Sequence, residues 1–190
     1  EPVQSGAETE DITQEYCDLY DVIANENLDC NISIKLTHIG LSLDETIAVN
    51  NLERILKQVK KHNNFLRIDM ENSPYTQDSI NLYQDYVSDY PNMGLVLQAY
   101  LKRSLEDVRT LNRPGFNTRV CKGIYDEPET IAFKDRAAIQ DNFFNITKEI
   151  LSGDGFVAIA THDIPLIDHL EDWIESTQVP SDRFEFQVLY

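Results

Sequence analysis

The chain has 190 residues, of which 42% are hydrophobic, and a formal net charge of −17 from 33 acidic and 16 basic side chains. The apolar share supports one domain with a sizeable core, while an acidic surface of this size repels phosphate backbones and excludes nucleic acid as an expected partner. No apolar run approaches the ~20 residues of a membrane-spanning helix. The three cysteines, Cys17, Cys30 and Cys121, fit neither a metal knuckle nor a disulfide framework, and are expected to be buried apolar residues in a reducing compartment. Because the chain begins with Glu1 rather than Met, the lack of a targeting segment carries no weight.

Residues 1–11 (EPVQSGAETED) are polar, acidic and aperiodic, which predicts a flexible loop or frayed end. A helix is predicted over 12–28, with Ile12, Tyr16, Leu19, Tyr20 and Ile23 on one face. From there short β-branched, apolar segments alternate with longer ones of helical period. Strands are predicted at 31–37, 65–70, 93–100, 118–123, 156–161 and 184–190, and helices near 44–62, 76–90, 102–112, 133–152 and 164–177. Asp44 and Asp163 mark two helix starts, and Pro165 suits a first helical turn.

Strands alternating with helices imply parallel βα units. A doubly wound nucleotide-binding sheet needs a Gly-rich loop after a strand. Gly153-Asp154-Gly155 instead precedes one and reads as a tight turn. The polar strand ends Lys35, Asp69, Gln98, Lys122 and Thr161-His162-Asp163 favour a β/α barrel, whose strand ends converge on the active face. The expected fold is therefore α/β, a (βα)8 TIM-like barrel, here incomplete with about six βα units. Since the final apolar segment stops at Tyr190 without a following turn, truncation at that end of a single domain over 1–190 is expected.

Each strand end invites a chemical reading beside a plainer one. Lys35 either meets a ligand carboxylate or snorkels to solvent. Alternation puts Arg67, Asp69 and Glu71 on one side of their strand, where Asp69 either orients a lysine or pairs with Arg67. Arg119 and Lys122, with Gly123 allowing close backbone approach, either suit an anionic group or form a basic strand end neutralised by Asp126 and Glu127. Thr161 and His162 before a helix start make a phosphate seat. The rival there is a metal site, and with it a metal-dependent barrel hydrolase, using His162 and Asp163 with His169. His62 reads as a solvated helix end, and Trp173 and Tyr83-Gln84-Asp85-Tyr86 as helix packing.

Six segments in this order resemble the proline dehydrogenase family: SIKLT at 33–37, LRIDMENS at 66–73, LQAYLKRS at 97–104, RVCKGIY at 119–125, ATHD at 160–163 and FEFQVLY at 184–190. They cover the chain from about residue 30 to its end. The resemblance implies FAD held non-covalently on a distorted barrel. L-Proline is oxidised to Δ1-pyrroline-5-carboxylate by hydride transfer to FAD, and the electrons pass on to a quinone. It implies Asp69 and Arg119 as catalytic residues and Lys35 and Tyr125 at the substrate. Met70, Gln98, Lys122, Gly123, Ile124, Thr161 and His162 are implied around the cofactor. A pyrroline-5-carboxylate dehydrogenase partner is implied too, together with a cytoplasmic or peripheral inner-membrane location, mitochondrial in a eukaryote. The chain departs from the family at KGIY, where Ile124 adds bulk, and at ATHD, where Asp163 keeps a helix-capping place and adds a charge. The resemblance further implies that the chain stops before the arginine-rich segment that clamps the substrate carboxylate and lacks an early barrel segment upstream, so that the barrel domain is truncated at both ends. A non-catalytic fragment of such an enzyme is the alternative.

Overall fold

The computed structural model describes residues 3–189; Glu1, Pro2 and Tyr190, the ends of the expected loop and of the FEFQVLY segment, lie outside the described residues. Helices and strands alternate as α1 (Gly6–Asn25), β1 (Ile32–Ile34), α2 (Glu45–His62), β2 (Leu66–Ile68), α3 (Thr76–Tyr86), β3 (Met93–Gln98), α4 (Ser104–Leu111), β4 (Asn117–Cys121), α5 (Arg136–Ser152), β5 (Phe156–Ala160), α6 (Ile164–Thr177) and β6 (Phe184–Gln187). Every predicted strand and helix is present. The chain forms two compact units, Glu1–Leu95 and Val96–Tyr190, with the boundary inside β3 rather than in a linker.

In the first unit β1 pairs with β2 and β2 with β3, both parallel, in the register Ile34↔Ile68↔Leu95. Helix α2 covers this sheet with Ala48, Leu52, Ile55, Leu56 and Val59, whose three- and four-residue spacing puts them on one buried face. Burying a side chain such as Leu52 or Ile55 contributes roughly 1.5–3 kcal/mol. Asp44 caps the start of α2 by accepting from the Thr46 N–H at 2.7 Å, and Asn63, in the left-handed region, ends it. Helix α1 packs beside α2. The Tyr20 hydroxyl donates to the Phe65 carbonyl at 2.9 Å, and Arg54 pairs with Glu10 at 2.6 Å.

Helix α1 begins at Gly6, so the predicted loop over residues 1–11 is corrected: its second half is two turns of helix. Ser5 caps it by accepting from the Glu8 N–H, and the Glu8 carboxylate accepts from the Gln4 N–H. The buried face in these turns is carried by Thr9 and Thr13. Their hydroxyls donate to Gly6 and Thr9 carbonyls of the same helix, which lets them be buried without an outside partner. His62 is corrected as well. It sits 2.6 Å from Asp21, which Lys61 also reaches at 2.7 Å, so it ties α2 to α1 rather than facing water. Of the cysteines only Cys17 is buried; Cys30 is exposed and Cys121 half-buried, which corrects their expected burial.

In the second unit β4, β5 and β6 pair in sequence order, all parallel, with Arg119↔Ala158↔Glu185 in register. Phe143, Ile146 and Ile150 of α5 are buried against this sheet. Gly153 and Gly155 form the predicted tight turn. The Arg183 guanidinium donates to both of their carbonyls, at 2.8 and 2.6 Å, and the Asn112 side chain occupies the space where a Cβ would stand at either glycine. Trp173 meets Phe144 edge-on, which joins α6 to α5 as expected of a packing residue.

Candidate functional site

Polar residues follow the carboxyl ends of the parallel strands in both units, and the backbone decides which of them meet. In the first unit β1 stops at Ile34, one residue short of Lys35. Lys35 keeps an extended backbone and opens a 3-10 turn, Leu36–Ile39, so Leu36 and Thr37 leave the strand predicted for them. The Asp69 N–H donates to the Ile34 carbonyl at 2.8 Å, which carries the β1–β2 pairing one step further and sets Lys35 and Asp69 at adjacent strand ends.

Around that pair the loops are fixed by buried polar groups. The Glu71 carboxylate accepts from the Thr37 N–H at 3.0 Å and from the Thr37 hydroxyl, and so pins the turn after β1 to the loop after β2. Arg67 is buried. It lies 5.0 Å from the centre of the Phe65 ring and donates to the Leu95 carbonyl at 3.3 Å. Burial and, next, the negative charge of Asp69 push up the Tyr16 phenol, placing α1's Tyr16 in the neighbourhood of this carboxylate. Met70 is buried beside them. No site role for Thr37, Glu71 or Tyr16 is read from the sequence. A glutamate two residues beyond Asp69 on the same strand face was the available signal for Glu71.

In the second unit the register of β4, β5 and β6 puts Arg119, Ala158 and Glu185 on one face, and Ala160 and Gln187 on that face two residues on. The alanines of β5 leave room for longer side chains to meet across them. The Arg119 Nε–H donates to Gln187 Oε1 at 2.7 Å, and Gln187 in turn donates to Glu185 at 2.6 Å. Gln187 orients the guanidinium, a role not assigned from the sequence although Gln187 lies within a segment that carries the resemblance.

Beyond the end of β4, the Lys122 carbonyl accepts from the Tyr100 N–H at 2.8 Å, and the Lys122 ammonium bonds the Asp163 carboxylate. Asp163 stands at the start of α6, but its side chain does not cap that helix, which corrects the capping role expected of it. It accepts instead from Lys122, from Gln140 at 2.7 Å and from Arg136 at 3.2 Å. The Lys122 hydrogen bond, with smaller help from Gln140 and Arg136, holds its carboxyl at about 2, below the usual 3.8. A carboxyl depressed on folding stabilises the fold above its ordinary range and loses that contribution as pH falls towards its folded value. The stability gap between the protein and Asp163→Asn is therefore expected to narrow, by on the order of 2 kcal/mol, as pH falls from about 3.8 towards about 2. Urea titrations of both proteins across that range measure it.

The Thr161 hydroxyl accepts from the Asp163 N–H at 3.1 Å, while exposed His162 accepts from the Leu189 N–H at 3.1 Å. His169 stacks on Phe144 at 4.0 Å, and Asp163 is surrounded by donors, two of them cationic. These surroundings oppose the metal reading of His162, Asp163 and His169. Gly123 has φ +105°, and a Cβ there would overlap the Tyr100 ring. Ring packing therefore supplies the reason for glycine that was sought in close approach of a ligand. Ile124 is 88% exposed and Tyr125 half-buried, while Gln98 is buried, with its carbonyl accepting from the Ser104 hydroxyl at 2.6 Å.

A family model described as proline dehydrogenase matches residues 1–190. The chain belongs to the proline dehydrogenase family. Proline dehydrogenase 2 of Bacillus subtilis (strain 168) is 32% identical to it over 188 residues, covering 99% of this chain and 62% of that protein. Proline dehydrogenase 1 of the same organism is 34% identical over 187 residues, covering 98% and 62%. This member of the proline dehydrogenase family thus spans somewhat less than two thirds of these relatives. Among solved structures, proline utilization A from Bdellovibrio bacteriovorus, inactivated by N-propargylglycine, superimposes with a TM-score of 0.88 at 20% identity, over 100% of this chain and 25% of that one. That likeness shows the α/β fold. The expectation of about six βα units agrees with it in the number, order and parallel sense of the described strands.

Proposed function

We propose that the protein to which this chain belongs oxidises L-proline to Δ1-pyrroline-5-carboxylate with FAD as electron acceptor. The observation that carries this reading is the match of the proline dehydrogenase family model along residues 1–190. The donor set of the second unit fits the cofactor. Arg119 lies within β4, Lys122 and exposed His162 follow the ends of the neighbouring parallel strands β4 and β5, and the carboxylate among them, Asp163, is already held by three donors. Such a set suits a group that carries phosphates and gains negative charge on reduction.

When bound, FAD would supply the two-electron acceptor for the hydride on the ring carbon next to the proline nitrogen, and the nitrogen's proton would pass to water as the C=N bond forms. Lys35 pairs with the substrate carboxylate, and Asp69 beside it holds that ammonium in place. Arg119, oriented by Gln187, stabilises the negative charge that reduction brings. In the second unit Gln98, Gly123, Ile124 and Thr161 complete the cofactor's surroundings and Tyr125 lies at the substrate end; in the first unit Met70 follows β2. Transfer of electrons to a quinone and hand-over of the product to a pyrroline-5-carboxylate dehydrogenase belong to the same reading. So does a cytoplasmic or peripheral inner-membrane location, mitochondrial in a eukaryote. Among the described residues no helix is long and apolar enough to cross a membrane.

The test is the visible spectrum of the natural full-length protein before and after anaerobic addition of L-proline. A flavin band that bleaches is the expected result. A flavin band that persists removes proline as substrate, and no flavin band in folded protein supplied with excess FAD overturns the reading.

A further inference from the structure

The surroundings of Asp163 hold more than one ion pair. Its carboxylate, 2% exposed, is met by the Lys122 ammonium, the Gln140 amide N–H at 2.7 Å and the Arg136 guanidinium at 3.2 Å. All three are donors. A group that only accepts hydrogen bonds matches this place, whereas a neutral amide would turn its own N–H groups towards at least one of them. Lys122, by contrast, is 32% exposed, so part of its ammonium faces outward beyond the end of β4 while the rest is committed to Asp163. The ammonium offered at this strand end is therefore largely cancelled by a fixed charge of opposite sign from the start of α6.

We propose that Asp163 is a built-in counter-ion to Lys122 that weakens the hold of this strand end on an anionic cofactor, so that the protein binds FAD less tightly than its cationic residues alone would allow. This inference rests on the flavin reading given above. Its physical content is a competition. A phosphate or a reduced flavin ring near Lys122 meets the neutral Lys122–Asp163 pair rather than a free cation, and the nearby carboxylate repels it. Asp163 acts here through Lys122, as a positioning residue. A purely structural Asp163 makes the opposite prediction, because loss of its bonds would release Lys122 from its place and loosen the cofactor.

The sign of the change separates the two. Apo-protein prepared from the natural full-length enzyme is titrated with FAD and followed by quenching of flavin fluorescence. Asp163→Asn, which removes the charge and keeps the shape, is expected to bind FAD about fivefold more tightly than the unaltered protein. The double variant Lys122→Met/Asp163→Asn removes both charges and leaves neither unpaired. It is expected to bind FAD at least about fivefold less tightly than Asp163→Asn, because the cation through which Asp163 acts is gone. Asp163→Ser, which also removes the charge, serves where Asp163→Asn fails to fold. Weaker or unchanged binding in folded Asp163→Asn, or a double variant that keeps the gain of Asp163→Asn, overturns the inference and leaves the flavin reading intact. If the unaltered protein binds no FAD, the flavin reading falls and this inference falls with it.

Discussion

Arg119→Ala in the full-length protein is expected to lower turnover of L-proline by more than tenfold, with the flavin still bound. Arg119 is a half-buried cation in the middle of β4, held from one side by the 2.7 Å bond of its Nε–H to Gln187. A donor fixed in advance stabilises developing charge without having to reorganise as the reaction proceeds. Removing one such donor from an enzyme typically lowers turnover by about 10²–10³. The flavin is expected to stay because Lys122, Thr161 and His162 are untouched. Arg119→Lys is expected to recover little, since a lysine carries no planar fork to satisfy both Gln187 and the ring. Steady-state turnover together with the flavin-to-protein absorbance ratio measures both parts. An unchanged rate in Arg119→Ala would remove its catalytic assignment, and loss of the flavin would make it a cofactor-binding residue instead.

Gly123→Ala is expected to destabilise the protein by about 3 kcal/mol. A non-glycine residue held at φ +105° costs roughly 1–3 kcal/mol in backbone strain. The added methyl group also falls on the Tyr100 ring, and overpacking of this kind costs about 1–3 kcal/mol more unless the ring moves. In a chain of this size each kcal/mol lowers the melting temperature by roughly 2–4 °C, so a fall of about 10 °C is expected in a thermal melt. Adding Tyr100→Ala removes the collision and leaves the backbone strain, so Gly123→Ala in that background is expected to lose less than it does alone. If Gly123→Ala melts as the unaltered protein does but binds FAD more weakly, glycine is there for the ligand and not for the ring.

The α/β class and the approximate positions of the strands and helices were legible because the apolar residues announce them. The α2 face of Ala48, Leu52, Ile55, Leu56 and Val59 recurs at helical spacing, and the β5 segment Phe156-Val157-Ala158-Ile159-Ala160 is continuous, as a strand buried in a parallel sheet should be. What the sequence concealed has a common physical cause: polar groups whose partners lie far away along the chain, or inside their own helix. The first turns of α1 bury Thr9 and Thr13, hydroxyls satisfied within the helix, so hydrophobic periodicity is silent there. The Ser5-Gly6-Ala7-Glu8 capping pattern was the signal that marked the helix start. Asp163 reads as a cap from its place before Ile164-Pro165, but three donors from β4 and α5 draw its side chain away. The Tyr100 ring over Gly123 and the Asn112 side chain over Gly153 and Gly155 show the same limit, since a glycine in sequence does not name the neighbour that requires it. Among the site residues, the polar strand ends were legible from their positions alone. The groups that hold them, Glu71 for the turn after Lys35 and Gln187 for Arg119, emerged only with the strand register.

That register also bears on how the chain acquires its structure. Within each unit a strand pairs with the strand that follows it one helix later, as β1 does with β2, β2 with β3, β4 with β5 and β5 with β6. Every pairing therefore closes a loop of similar, moderate length, and the entropy lost at each closure rises only logarithmically with that length. No described pairing within a unit must wait for a distant segment. A polypeptide emerging from the ribosome can add strand and helix in the order in which they are made, each new strand finding its template already laid down.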